Sequence, residues 1–195
     1  MGRRRRAVCD APWTWVRQVH GANVVVATEP GQHAGAVADA VVTATPGVVV
    51  AVHTADCAPV FFEGDGAIGV AHAGWRGLVA GVLEATVEAM ADLGHRPRSA
   101  RLGPCIRTRC YEFGRPELEQ VAAAYGPSVR GETAWGTPAL DLAAGVRAAC
   151  ERLDITVDDT GICTACSPQH WSHRARADTG RQALVAWIGH EPERK

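Results

Sequence analysis

No stretch of this sequence approaches the ~20 consecutive apolar residues that a membrane-spanning helix needs, so no membrane partner is expected. Net charge is nearly absent as well: 20 Lys and Arg against 21 Asp and Glu give −1. No global positive field exists to gather nucleic acid, and none is expected as a partner. The dinucleotide pattern G-x-G-x-x-G and the P-loop are missing, as are internal repeats, linkers and low-complexity segments. The arginines at 3–6 have no apolar core behind them, so they do not read as a secretion signal but as a solvated end. Cysteines number seven, an odd count. Without a secretion signal, that favours a reducing cytoplasm over a disulfide framework. The thiols are then ligands, catalytic groups or small core residues.

What is present suffices for one buried domain: 195 residues, 47% of them apolar. From Asn23 to Val70 the chain is β-rich, with NVVVA, AVVTA, GVVVAVHT, APVFFE and AIGVAH bounded by Gly, Pro and Asp. Several are apolar on consecutive positions, which predicts cover on both faces. Gly77 opens a helix in which Leu78, Val82, Leu83, Thr86, Val87, Met90 and Leu93 recur near a 3.6 period, and Gly94 stops it. RSARLGPCI reads as a strand, Pro116 to Tyr125 as a helix, Leu140 to Leu153 as another, and ITVDD and QALVAWIG as late strands. Strands cluster first and helices follow, which favours α+β over a doubly wound sheet. Residues 1–14 are expected to be a flexible segment, 15–189 a single catalytic domain, and 190–195 a tail.

His20, Cys57 and His72 stand in RQVHG, HTADCAP and AHAGWRG, each at the end of a strand-like run or tight turn. Two imidazoles and a thiolate suit Zn²⁺ or copper, and three protein ligands leave a coordination position open for chemistry. Asp39 and Asp56 are candidates to orient an imidazole, or else turn residues that accept backbone N–H groups. His53 competes as a group near the ligands or facing substrate. Cys163, Cys166, His170 and His173 have the residue types of a compact Cys₂His₂ site, but zinc modules of that type separate their pairs by about a dozen residues. For anions, Arg76 precedes a helix, and Arg174, Arg176 and Arg181 share a polar loop. Trp75 and Trp171 are candidates to stack on a flat base or to plug the core.

RQVHG, ADAVVTATPGVVVAVHTADCAPV, AIGVAHAGWRG, LGPCI…CYEFG and CT…WSHRARADTGRQ follow one another in the order found in the YfiH/laccase-domain family. The chain resembles that family from about Trp15 to Ile188. Its members are described as multicopper polyphenol oxidases, purine nucleoside phosphorylases and a peptidoglycan editing factor. The resemblance implies a layered α/β/β/α fold of α+β class with mixed sheets. It implies zinc at His20, Cys57 and His72, and activity on adenosine, inosine and 5′-methylthioadenosine, with adenosine deamination. The chain departs from the family pattern in three places, one of them Cys166 and His170, which look idiosyncratic. Relatives carry several dozen residues before QVHG, including a Gly-rich segment. The late motif, usually FFSYRRDGxTGR, here has Trp171, His173 and Ala175 in place of familiar residues, and Arg176 is displaced by one position relative to Arg174.

Several reactions fit such a site. Zinc lowers the pKa of bound water to near ~7, which suits deamination at C6 of adenosine. Phosphorolysis instead uses phosphate at the ribose C1′, with Arg76 positioning it, Arg174, Arg181 and His53 binding substrate, and His53 or Tyr111 a candidate proton donor. Cys57 as a nucleophile, with His20 or His72 as base, is a rival. A copper-dependent polyphenol oxidase, an amidase that edits a UDP-muropeptide precursor, and a metal-stabilised partner of a cell-wall complex complete the alternatives. Purine nucleoside and phosphate are the expected partners.

Overall fold

Valine-rich runs become strands here because branched side chains fit a pleated, half-buried surface. The computed structural model describes residues 3–189, and the expected tail at 190–195 lies outside them. In chain order the elements are α1 (Arg3–Val8), β1 (Trp13–Arg17), β2 (Val24–Val26), β3 (Ala36–Val37), β4 (Ala40–Thr43), β5 (Val49–Thr54), β6 (Ala58–Gly64) and β7 (Ala67–Ala73). There follow α2 (Trp75–Val79), α3 (Val82–Asp92), β8 (Ser99–Leu102), α4 (Arg115–Tyr125), β9 (Arg130–Glu132), β10 (Pro138–Leu140), α5 (Leu142–Arg152), β11 (Thr156–Asp159), α6 (His173–Arg176) and β12 (Gln182–Ala186).

One sheet has six strands in the order β11-β8-β6-β7-β4-β2, and a second has four, β12-β5-β1-β3. Both mix directions: β2 runs parallel to β4 while β4 is antiparallel to β7, and β1 runs parallel to β5 while β12 is antiparallel to it. Alternation along the strands then assigns each layer its partners. Val42, Val60 and Phe62 face the helices, where Leu78, Leu83, Val87 and Met90 meet them. Val41 and Val70 point the other way, onto Val16, Val50 and Val52 of the four-stranded sheet. The outer face of that sheet carries Trp13, Val49 and Ala51, covered in part by Cys9 and Ala11. The result is the expected α+β layering, and burial of both faces of the six-stranded sheet explains its consecutive apolar runs. Phe62 is fully buried between layers, so truncation to Ala there costs about 3–5 kcal/mol.

Three local expectations are corrected. The single helix from Gly77 is two helices, α2 and α3, broken where Gly81 adopts φ 86°. The left-handed turn there lets α3 lie across β7, and Gly69 permits the approach: a Cβ on it would sit 3.0 Å from Met90 Sδ and Thr86 Cγ2. The helix expected from Leu140 begins at Leu142, because the Asp141 carboxylate accepts the Ala144 N–H at 2.8 Å and caps it. Trp13 and Thr14, placed by the sequence reading in the N-terminal segment, are buried in β1 and pair with Val49 and Val50. Among the described residues no helix is long and apolar enough to cross a membrane.

Candidate metal centre

The three candidate ligands lie near strand ends. His20 follows β1, Cys57 sits in the turn between β5 and β6, and His72 is near the end of β7. These termini converge, and one ligand atom from each of the three side chains lies within 4.8 Å of the others. Cys57 Sγ is 3.7 Å from His20 Nε2. The His20 and His72 rings stand edge to face with centroids 4.9 Å apart.

Asp39, fully buried just before β4, organises the cluster. One of its oxygens accepts the His20 N–H at 2.9 Å and faces His72 Nδ1 at 2.8 Å. The other accepts the N–H groups of Val19 at 3.1 Å and Gly21 at 2.8 Å. A carboxylate only accepts, so His72 Nδ1 carries a proton and Nε2 is the ring atom turned to the other two side chains. The same backbone bonds hold His20 at φ 60°, a left-handed conformation that is uncommon for a side-chain-bearing residue. Gly74 completes the close approach: a Cβ there would stand 2.5 Å from His20 Cδ2 and 3.2 Å from Cys57 Sγ.

Charge follows from this packing. Burial opposes a thiolate at Cys57, but hydrogen bonds with His20 and His72 outweigh it and bring the thiol down to about 6. Burial likewise opposes charge on His72, yet the Asp39 and Cys57 contacts lift it to about 9. Burial would raise Asp39, but the His72 contact and the backbone N–H groups hold it below the usual carboxylate range. The donors are thus a ready thiolate and an oriented imidazole, plus a second imidazole with space around it. That set fits a tetrahedral cation with borderline-soft preference.

The three donors open on a cavity of about 580 Å³, also lined by Arg5, Trp15, His53, His173 and Arg181. Arg181 is held by its own loop, Nη1 donating to the carbonyls of Asp178 and Gly180. His53 is fixed by Gln18, whose side-chain amide bonds both its N–H at 2.8 Å and its carbonyl at 2.7 Å. Burial, and then the Arg5 charge, pushes the His53 imidazole below its ordinary range.

Other expected residues are elsewhere. Arg76 lies over the Trp75 ring, 4.4 Å from its centroid, and does not line the cavity. The helix that holds it has only five residues. Arg174 stacks 5.1 Å from the Tyr111 ring, donates to the Glu112 carbonyl, and lines a separate cavity with Phe113 and Trp135. Arg176 ties its loop together through Asp178 and the carbonyls of Ala165 and His170. Trp75 packs edge-on against Phe113, and Trp171 lies across Gly180. Asp56 orients no imidazole; it accepts the Thr164 hydroxyl and the Arg174 N–H, both at 2.6 Å. Nor do Cys163 and Cys166 join the histidines: His170 Nδ1 bonds Ser167 Oγ at 2.7 Å.

Arg5 was missed. Four consecutive arginines read as a solvated end, yet Arg5 lies 5.5 Å from the centroids of both Trp13 and Trp15 and within 3.5 Å of His53 Nε2. The two tryptophans alternating on one strand were the available signal, since such a pair presents a face on which a guanidinium stacks.

An α+β fold that assembles imidazole, thiolate and imidazole at strand ends beside a cationic cavity defines a candidate metal-dependent enzyme. Comparison with known proteins gives the family. The family model described as multi-copper polyphenol oxidoreductase laccase matches residues 3–189, so the chain belongs to this family. It is 46% identical over 180 residues to a protein named purine nucleoside phosphorylase from Streptomyces coelicolor, covering 89% of this chain and 74% of that one. A Mycobacterium tuberculosis protein of the same name is 41% identical over 182 residues, covering 89% and 71%. Among solved structures, the Neisseria meningitidis protein NMB0706 superposes with a TM-score of 0.85 at 31% identity, covering 96% of this chain and 81% of that one. YlmD from Geobacillus stearothermophilus gives 0.84 at 26% identity, covering 95% and 79%.

Proposed function

We propose that this chain is a zinc-dependent purine nucleoside phosphorylase that accepts adenosine, inosine and 5′-methylthioadenosine and also deaminates adenosine. The observation that carries the reading is the His20–Cys57–His72 cluster opening on a cavity walled by Arg5 and Arg181. Relatives named purine nucleoside phosphorylase at 41–46% identity support it. About 580 Å³ is in the range that holds a small organic ligand.

A cation held by the three donors supplies a Lewis acid next to the cavity. The chain's own residues do the rest. Asp39 keeps a proton on His72 Nδ1, so that Nε2 is the ring atom a cation would take, displacing any proton held there. Arg5 and Arg181 offer forked, permanently charged donors, which match phosphate oxygens. Trp15 supplies a flat apolar surface for the base. In phosphorolysis, a phosphate oxygen attacks ribose C1′ and the bond from C1′ to the base breaks. The base leaves with that electron pair and takes up a proton. Burial and the Arg5 charge disfavour a protonated His53 in the free cavity, so the ring becomes a donor for that proton only once an anion has settled beside it. Deamination at the same place replaces phosphate by water and C1′ by C6, and releases ammonia. All seven cysteines are free thiols, in keeping with a reducing cytoplasm.

Incubation of adenosine with and without phosphate tests the reading. Adenine and ribose 1-phosphate only when phosphate is present, together with inosine without it, is the expected result. Neither product would sink it and favour amide hydrolysis of a muropeptide precursor. A second reading rests on the Asp39–His72–Cys57 chain, which has the order of a base-activated thiol nucleophile. His20 separates the two: metal binding requires it, whereas a thiolate attack with His72 as base does not. His20→Ala that loses zinc and turnover together supports the metal reading.

A further inference from the structure

We propose that Cys110, Cys163 and Cys166 form a second metal site, an all-thiolate one that takes a thiophilic d¹⁰ cation such as Zn²⁺. The inference does not depend on the activity proposed for the first site.

The three sulfurs lie within 4.8 Å of one another, and those of Cys110 and Cys166 are 3.3 Å apart. Metal–sulfur bonds of ~2.3 Å in a tetrahedral site put sulfurs about 3.8 Å apart. The cluster is therefore at coordination spacing, with a ligand position left over. Two of its members form a Cys-x-x-Cys step, and the third comes from 53 residues earlier in the chain. A plain disulfide between Cys110 and Cys166 would leave Cys163, whose sulfur stands at the same spacing, without a role. The backbone around the cluster is also fixed: Cys105 bridges Cys163, the Thr164 N–H bonds the Cys105 carbonyl, and the Ser167 N–H bonds the Cys163 carbonyl. Cys166 is exposed and the other two are half-buried, so an ion reaches the site from solvent.

Bound there, the cation would staple the short turn at 108–110 to the loop at 163–166. That loop reaches the first site through one side chain, because Thr164 bonds Asp56, the neighbour of Cys57. Soft all-sulfur ligation distinguishes this place from the imidazole-rich first site.

Titration of the reduced, metal-free full chain with Zn²⁺ against a chromophoric chelator decides the matter. Two equivalents are expected for the parent, one for Cys166→Ser, one for Cys110→Ser and one for His72→Ala. The His72→Ala result keeps failure of the first site separate from failure of the second. One equivalent in the parent, or two in Cys166→Ser, overturns the proposal. Cobalt loading of the parent gives an independent reading should a variant not fold. With both sites loaded, three sulfur ligands here and Cys57 in the first site make thiolate-to-cobalt absorbance about four times that of the first site alone. A single-thiolate intensity overturns the proposal, as does a Cys110–Cys166 disulfide in protein that binds one equivalent after reduction.

Discussion

Asp39→Asn removes one charge and one acceptor from the most constrained point of the molecule. Its two oxygens serve four donors: His20 N–H and His72 Nδ1 on one, Val19 N–H and Gly21 N–H on the other. Asparagine has one accepting oxygen and one NH₂ that only donates. Either orientation of the amide leaves two donors facing an NH₂ in a fully buried place. Two hydrogen bonds to a charge, at about 1.5–3 kcal/mol each, amount to about 3–6 kcal/mol. For a chain of this size each kcal/mol moves the melting temperature by ~2–4 °C, so the metal-free variant should melt roughly 6 °C lower or more. Metal affinity should fall about 10–100-fold, because His72 loses the partner that fixes its tautomer. Calorimetric melting without metal, and zinc titration against a competing chelator, measure the two effects separately. A variant that melts with the parent and holds zinc as tightly would refute the assignment of Asp39 as the organiser of this site.

Gly74→Ala should leave the fold standing but weaken metal binding about 10-fold or more, since its Cβ would press on His20 Cδ2 at 2.5 Å; the same titration checks it, with circular dichroism as the control. In metal-free protein the Cys57 thiolate should titrate near 6 instead of 9.0, read by ultraviolet thiolate absorbance, and move upward in His72→Ala. The stability contribution of Cys57 is complete above pH 9.0 and lost as pH falls towards 6, whereas that of His72 is complete below 6.5 and lost as pH rises towards 9. Arg181→Ala should raise KM for phosphate about 10-fold or more while KM for nucleoside changes little, measured by initial rates with each substrate varied in turn.

The strands and helices were legible where one rule acted alone. NVVVA, AVVTA and APVFFE are branched or aromatic throughout, and they became β2, β4 and β6. β1 was invisible because WTWVR alternates bulky aromatics with polar groups over only five residues, and its partner strand comes more than 30 residues later. Gly81 broke a helix whose period continued on both sides, since periodicity reports which face is buried and not whether the axis bends. At the site, His20, Cys57 and His72 were readable as chemistry but not as geometry. Only the pairing of β4 with β7, which sets Ala40 beside Ala71, brings Asp39 to His72. The arginines were least readable. A guanidinium on a long stem can reach in several directions, and neither Arg5 stacked on two tryptophans nor Arg76 folded back over Trp75 is fixed by local pattern.

The distribution of charge around the cavity then constrains what can enter it. Arg5, His53 and Arg181 line the same cavity, and burial, then the Arg5 charge, push the His53 imidazole below its ordinary range. A dianion that settles against the two guanidinium groups would lower the potential felt by His53 and favour its protonation. The first anion therefore supplies what the free cavity lacks, a ring able to give a proton. On the function proposed above, a nucleoside that arrives without phosphate meets a ring less readily protonated, and base release is expected to depend on phosphate for that reason as well. Exchange of His53 for Gln, which keeps hydrogen bonding but cannot be protonated, should slow base release while leaving phosphate-independent deamination intact; equal losses of both rates would break this link.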